Sequence, residues 1–148
     1  MLYGRAGSQN MAQLRETRKN GLLELSSRVA LTSDLFCAVN FSQVLVVSIS
    51  SQNLRSLMAG LSSLGMEGKI IVLCMKGIEA STGKRLTEIV EEYAPEAKTA
   101  IWVGPGHVQD FVRGIPNCMV IDSKDDEVKK ELVEKFSSDL IRFYYGND

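Results

Sequence analysis

The chain has 148 residues, of which 45% are hydrophobic and 24% charged, and its 17 basic and 18 acidic side chains leave a net charge of −1. That length suits one domain, and a fold of this size buries roughly 68–70% of its unfolded surface, so no covalent staple is required. The charge balance argues against a basic nucleic-acid face, and the apolar content argues against disorder. No apolar run approaches the ~18 residues that a membrane span needs. Met1–Arg5 holds no apolar h-region, which reads as no secretory signal. Cys37, Cys74 and Cys118 are odd in number, widely spaced and without a C-x-x-C pair. This argues against a disulfide framework or a zinc site and points to a reducing cytoplasm. Cys74 and Cys118 sit in apolar runs and read as small buried hydrophobes.

The elements alternate along the chain. Leu2-Tyr3-Gly4 reads as the tail of a strand. Ser8–Lys19 reads as a helix with Met11 and Leu14 facing inward and Gly21 stopping it as the residue after the cap. Strand-length apolar runs follow at Val44–Ser48, Ile70–Met75, Thr99–Val103, Cys118–Ile121 and Ile141–Tyr145. The first four are nearly continuous, the pattern of strands buried on both faces of a parallel sheet. Between them lie apolar stripes at helical spacing: Leu54, Leu57, Met58, Leu61 and Leu64; Leu86, Ile89, Val90 and Tyr93; Val128, Leu132, Val133 and Phe136. Ser123–Asp126 resembles a capping box at the head of the third stripe. Asp126/Lys130 and Glu131/Lys135 are spaced as i,i+4 pairs on its outer face. Such alternation specifies an α/β, Rossmann-like fold: a mostly parallel sheet with helices on both faces and right-handed crossovers.

Ligands in open α/β sheets sit at the carboxyl ends of strands. Lys76 follows the run Ile70–Met75, where its ammonium would neutralise a phosphate or polarise an oxygen; the alternative is a solvated surface lysine. Gly104-Pro105-Gly106-His107 follows Thr99–Val103. It reads either as a close-approach turn ahead of a helix N-terminus or as a plain strand-to-helix turn. His107 is the sole histidine; no carboxylate or nucleophile marks it as an acid or base, and alone it cannot build a metal site. Trp102 and the terminal Tyr144 and Tyr145 read as packing residues. No G-x-G-x-x-G loop exists; Gly4-Arg5-Ala6-Gly7 has the wrong spacing.

Several segments together resemble the NAD(P)-dependent glycerol-3-phosphate dehydrogenase family. Lys69–Leu86 (KIIVLCMKGIEASTGKRL) is similar to the family's TKG(L/I)E…TG segment. Val44–Arg55 (VLVVSISSQNLR) resembles its strand ending in VPSQ.LR, and Gly104–Pro116 its GP(S/T)FA…G.P segment. Leu2–Asn20 resembles the family's second strand and following helix, and Thr32–Leu35 matches TSDL. Tyr144–Asp148 resembles the point just before the family's helical substrate domain. The resemblance implies that residues 1–148 form a single partial dinucleotide-binding domain. It also implies an NAD or NADP cofactor and a small phosphorylated substrate, dihydroxyacetone phosphate interconverting with sn-glycerol 3-phosphate in the cytoplasm. It assigns cofactor contact to Arg5, Lys76 and Val108, substrate contact to Lys76, Gly104 and Gly106, and a catalytic role to Lys76, with no metal, nucleic acid or membrane span.

The departures from the family are specific. Its first strand and glycine-rich loop are expected ahead of Leu2, and its helical domain, with the main catalytic lysine, after the matched segments. Val103 and Gly106 replace a Ser and a Ser/Thr, His107 a Phe, Asp110 a Glu, and Ser50 a Pro. The link from Asn20 to Thr32 is shorter than the family's. In a sheet of order 3-2-1-4-5-6 the first strand is central. Its absence strands backbone groups that cost about 1–3 kcal/mol each when buried unpaired, against a net stability of roughly 5–15 kcal/mol. The expected responses are closure of the Leu2 segment against the next strand, its shift to an edge, or a strand donated by a second copy in a homo-oligomer. Three functional readings follow: part of an enzyme that is inactive as this chain alone, a non-catalytic module that oligomerises, or a weak phosphate-binding module. In each, cofactor binding is weak or lost without the glycine-rich loop.

Overall fold

The structure, a computed structural model, describes residues 1–147. Asp148, the last residue of the expected domain end, lies outside the described residues. The chain forms two compact units, Met1–Ser42 and Gln43–Asp148.

In the first unit, β1 (Leu2–Tyr3) pairs in parallel with β4 (Leu31–Thr32). Between them run α1 (Gln9–Thr17) and a hairpin of β2 (Lys19–Asn20) with β3 (Leu23–Glu24); α2 (Leu35–Phe41) follows β4. Met11 and Leu14 of α1 are buried as the spacing predicts. Ser8 caps this helix, its hydroxyl accepting from the Met11 N–H at 3.4 Å. The stop differs from expectation. Arg18 takes the left-handed conformation that ends α1 (φ 60°), while Gly21 (φ 57°) starts the two-residue hairpin loop. Glycine supplies the positive φ demanded at the first position of such a loop.

In the second unit five strands, β5 (Val44–Val47), β6 (Ile70–Leu73), β7 (Lys98–Val103), β8 (Asn117–Ser123) and β9 (Ile141–Tyr145), form one sheet in chain order. All neighbours are parallel except β7 and β8, which run antiparallel. β6 is buried at every residue, which explains its unbroken apolar sequence. Along β6 the side chains alternate: Ile70 and Val72 join Ala100, Ile121, Phe143 and the α6 (Asp126–Phe136) residues Val128 and Leu132 in one core cluster. Ile71 and Leu73 point the other way. Buried side chains of α3 (Leu54–Leu61) and α4 (Leu86–Tyr93) include Leu54, Met58, Ile89 and Val90; the two helices pack together and α4 packs on β7. Trp102 is a packing residue as expected, 4.9 Å edge-on to Phe143 and 5.3 Å from Phe136.

Leu2–Tyr3 pairs in parallel with β4 inside the first unit, its one strand partner among the described residues. Three further expectations need correction. Ser123 does not cap α6. Its hydroxyl donates to the Thr99 carbonyl (2.7 Å), and Asp125 caps instead, accepting from the N–H groups of Glu127 and Val128. Asp126 pairs with Lys129 rather than Lys130, whereas Glu131–Lys135 forms as predicted at 2.6 Å. Cys118, Tyr144 and Tyr145 are exposed and Cys74 is only half-buried. β9 is an edge strand, so only Phe143 of its aromatic run is buried.

Truncating Leu132, fully buried at the centre of the α6 contact, to alanine is expected to cost about 2–5 kcal/mol. Asp125→Ala should cost about 1 kcal/mol through the lost cap. Urea unfolding of both variants measures this; a Leu132→Ala loss no larger than that of the cap variant would contradict the packing described.

Candidate functional site

β5 leads into a 3-10 turn at Ser51–Asn53 and then α3. β6 leads into a loop, 74–85, that ends at α4. Side chains from the first segment grip the second. The Gln52 amide donates to the Ile78 carbonyl (2.9 Å) and accepts from the Ala80 N–H (2.9 Å). The Arg55 guanidinium meets Glu79 with two parallel bonds, Nε to Oε1 and Nη2 to Oε2, both 2.8 Å. Its Nη1 also reaches Glu92 Oε2 at 2.6 Å, and its plane lies 5.6 Å from the centre of the Tyr93 ring. The loop closes on itself as well: Glu79 N–H donates to the Lys84 carbonyl, Gly83 N–H to the Glu79 carbonyl, and the Thr82 hydroxyl to Glu79 Oε2. Lys84 pairs with Glu92.

Glu79 is 5% exposed, so its charge depends on these donors. The Arg55 guanidinium, and after it the Thr82 hydroxyl, hold its carboxyl at about 2, below the ordinary 4.5, although burial pushes the other way. Arg55 is shifted up by the same bonds, with Glu79 first, then Tyr93 and Glu92. Burial pushes the Cys74 thiol up.

Beside this loop lies an open cavity of roughly 550 Å³, lined by Cys74, Lys76, Trp102, Val103, Gly104, Pro105, Gly106, His107 and Met119. It sits past the carboxyl ends of β6 and β7, where a parallel sheet offers its ligand site. Its lining holds two basic side chains, Lys76 and His107, and no carboxylate. Lys76 is exposed and, among the described residues, makes no hydrogen bond or ion pair. The position after it, Gly77, has φ 103°, a conformation closed to most side chains. A wider hollow of roughly 730 Å³ in the first unit is lined by Thr17, Arg18 and residues 24–27. Arg18 Nη2 donates there to the Ser26 and Val29 carbonyls, while its Nε is buried without a hydrogen-bond partner among the described residues.

The structure thus brings Lys76, Gly104 and Gly106 to one cavity. Val108, 64% exposed, opens α5 (Val108–Val112) one residue past His107 and does not line that cavity. The helix expected after Gly104–His107 is this single five-residue turn, too short to act as an anion site by its N-terminus. Arg5 belongs to the first unit, exposed in a turn closed by Ser8 N–H on the Arg5 carbonyl, with Gly7 at φ 77°. The two turn glycines have a packing reason of their own. A Cβ on Gly104 would lie 2.7 Å from Met119 Sδ, and one on Gly106 would lie 2.4 Å from Met119 Cε and 2.6 Å from Phe111. Sequence reasoning quotes SQNLR and KGIE as separate segments and misses that Gln52 and Arg55 hold Glu79 and its neighbours. The available signal is that Glu79 is the lone acidic residue between Lys69 and Leu86.

A family sequence model described as the NAD-dependent glycerol-3-phosphate dehydrogenase N-terminus matches residues 2–129. The chain belongs to this family. The glycerol-3-phosphate dehydrogenase [NAD(P)+] of Bradyrhizobium sp. strain BTAi1 is 34% identical over 99% of the chain and 45% of its own length. That of Rhodopseudomonas palustris strain HaA2 is 33% identical over 95% and 43%. The crystal structure of glycerol-3-phosphate dehydrogenase from Coxiella burnetii superposes with a TM-score of 0.88 at 16% identity, covering 96% of this chain and 45% of that one. At that identity the likeness establishes the Rossmann-like fold. This glycerol-3-phosphate dehydrogenase family chain spans less than half the length of the curated relatives it matches.

The Glu79 pairing carries a pH signature. Its folded value lies below its unfolded one, so the pairing stabilises fully above pH ~4.5 and is lost as pH falls toward about 2. Glu79→Gln is therefore expected to be less stable than the parent at pH 7, with the gap narrowing on acidification from pH 5 to 2.5. Urea midpoints at pH 7, 4 and 2.5 measure this, and a gap that stays constant would refute the assignment.

Proposed function

We propose that residues 1–148 form a partial dinucleotide-binding domain of a glycerol-3-phosphate dehydrogenase, acting in the cytoplasm, and that the Lys76 cavity receives the phosphorylated three-carbon substrate. One observation carries this reading: an unpaired lysine in a carboxylate-free cavity at the strand ends. An ammonium there attracts a phosphate dianion and donates a hydrogen bond to a substrate oxygen. His107 adds a second nitrogen group on the same lining.

The cofactor of the family is NAD or NADP, which supplies or accepts the hydride in the reversible conversion of dihydroxyacetone phosphate to sn-glycerol 3-phosphate. The fit of this chain's residues to it is partial. Arg5, Lys76 and Val108 are exposed and free to meet a ligand. Among the described residues none forms a pyrophosphate cradle: at Gly4 the space for a close approach is taken by the Met11 side chain, and Ser8 caps the helix that follows. The dinucleotide is thus not held by these residues alone, and the reading is of a chain without turnover by itself.

A second reading, an oligomerising module, draws on the five-stranded sheet. Among the described residues β5 pairs with β6 alone, and Val46 is 48% exposed on it. An edge of this kind accepts a strand from a second copy. Sedimentation velocity up to high concentration separates the cases: a 16.3 kDa species throughout contradicts the oligomer.

Calorimetry and amide chemical shifts test the main reading. The chain is expected to bind sn-glycerol 3-phosphate weakly, with shifts at Gly77 and Gly104–His107, to lose at least ten-fold in affinity in Lys76→Ala, and to show no NADH oxidation. Absence of binding in the parent chain sinks the assignment.

A further inference from the structure

We propose that Gln52 and Arg55 are positioning residues for Lys76: together they fix the loop that carries it, so that the ammonium meets its ligand already oriented. The inference rests on the reading of Lys76 as the ligand-binding lysine and adds which groups hold it there.

The anchoring is visible bond by bond. On the upstream side the Cys74 N–H donates to the Val47 carbonyl at 3.0 Å, extending the β5–β6 pairing one step beyond the strands. On the downstream side the Ile78 carbonyl is held by Gln52 Nε2 at 2.9 Å. Only Met75, Lys76 and Gly77 lie between these points. The Gln52 amide bonds a carbonyl and the N–H two residues later, so one side chain replaces a segment of neighbouring strand. Glu79 locks the same loop from beneath: it is buried, gripped twice by Arg55 and once by Thr82. An Ile78–Arg85 bridge closes the base of the loop.

Gln52 and Arg55 do not line the cavity. They act on Lys76 through the backbone. A lysine has many rotamers, and a mobile backbone would multiply them; each ordered bond of freedom must be lost on binding if it is not lost before. The two anchors remove the backbone share in advance. Arg55 also suits its task in a way lysine would not, because two parallel bonds to a planar carboxylate fix direction as well as distance.

The test uses the full chain and four variants: Gln52→Ala, Arg55→Lys, Glu79→Gln and Lys76→Ala. Gln52 is exposed, so its variant keeps the fold even where an Arg55 or Glu79 variant does not. Two readouts are taken on folded protein: amide ¹⁵N relaxation of residues 75–80, and affinity for sn-glycerol 3-phosphate from chemical-shift titration. The expected result is faster motion at Lys76–Ile78 in Gln52→Ala, with β6 and α3 unchanged, and a three- to ten-fold loss of affinity in both Gln52→Ala and Arg55→Lys. Lower unfolding midpoints with unchanged loop motion and unchanged affinity would mark a merely structural role and overturn the proposal. If the parent chain binds no sn-glycerol 3-phosphate, the reading of Lys76 as the ligand-binding residue fails. The relaxation data then decide the anchoring by themselves: more mobile Lys76–Ile78 amides in Gln52→Ala support it and unaltered ones overturn it.

Discussion

A buried carboxylate cannot stand alone in a protein interior. Glu79 is such a group, and the arrangement around the cavity follows from how its charge is matched. The matching cation comes from another element, Arg55 on α3, which is also drawn to Glu92 and the Tyr93 ring on α4. One guanidinium therefore ties the loop after β6 to both helices on that side of the sheet. With Glu79 fixed, the chain on either side of it has little freedom. Lys76 is consequently presented at the strand ends instead of trailing into solvent on a loose turn.

The family membership and the fold speak to different parts of this picture. The match over residues 2–129 establishes the family. The solved structure from Coxiella burnetii agrees with the backbone at low identity. The local chemistry is this chain's own. Val103 and Gly106 give the cavity an apolar and glycine lining, and Met119 and Phe111 fill the space where side chains on the two glycines would stand. A site of this composition leans on Lys76 and His107 for its polar character.

Much of the fold was legible because apolar periodicity records burial. The runs at Val44, Ile70, Thr99, Cys118 and Ile141 all became strands, and the stripes at Leu54, Leu86 and Val128 became helices. What escaped was decided by competition between near-equivalent groups. Ser123 and Asp125 both suit a helix cap, and a free carbonyl at Thr99 drew the serine away. Arg18 and Gly21 both suit a helix end, and the hairpin needed the glycine more. Cys118, Tyr144 and Tyr145 look internal in sequence because a strand pattern does not reveal which strand lies at the edge or which of its faces has a cover. The Lys76 cavity was visible as a lysine at a strand end. Its supports were not, because Gln52 and Glu79 lie 27 positions apart and nothing in either segment names the other.

The Arg55–Glu79 link has a consequence for how this sequence changes over generations. Losing the guanidinium leaves a buried negative charge with one hydroxyl bond from Thr82, and losing the carboxylate leaves the guanidinium only Glu92 and the Tyr93 ring. Each single step is worse than either the intact pair or its joint replacement. Codons 55 and 79 are therefore expected to drift together or not at all, and two segments separated along the chain behave as one heritable unit.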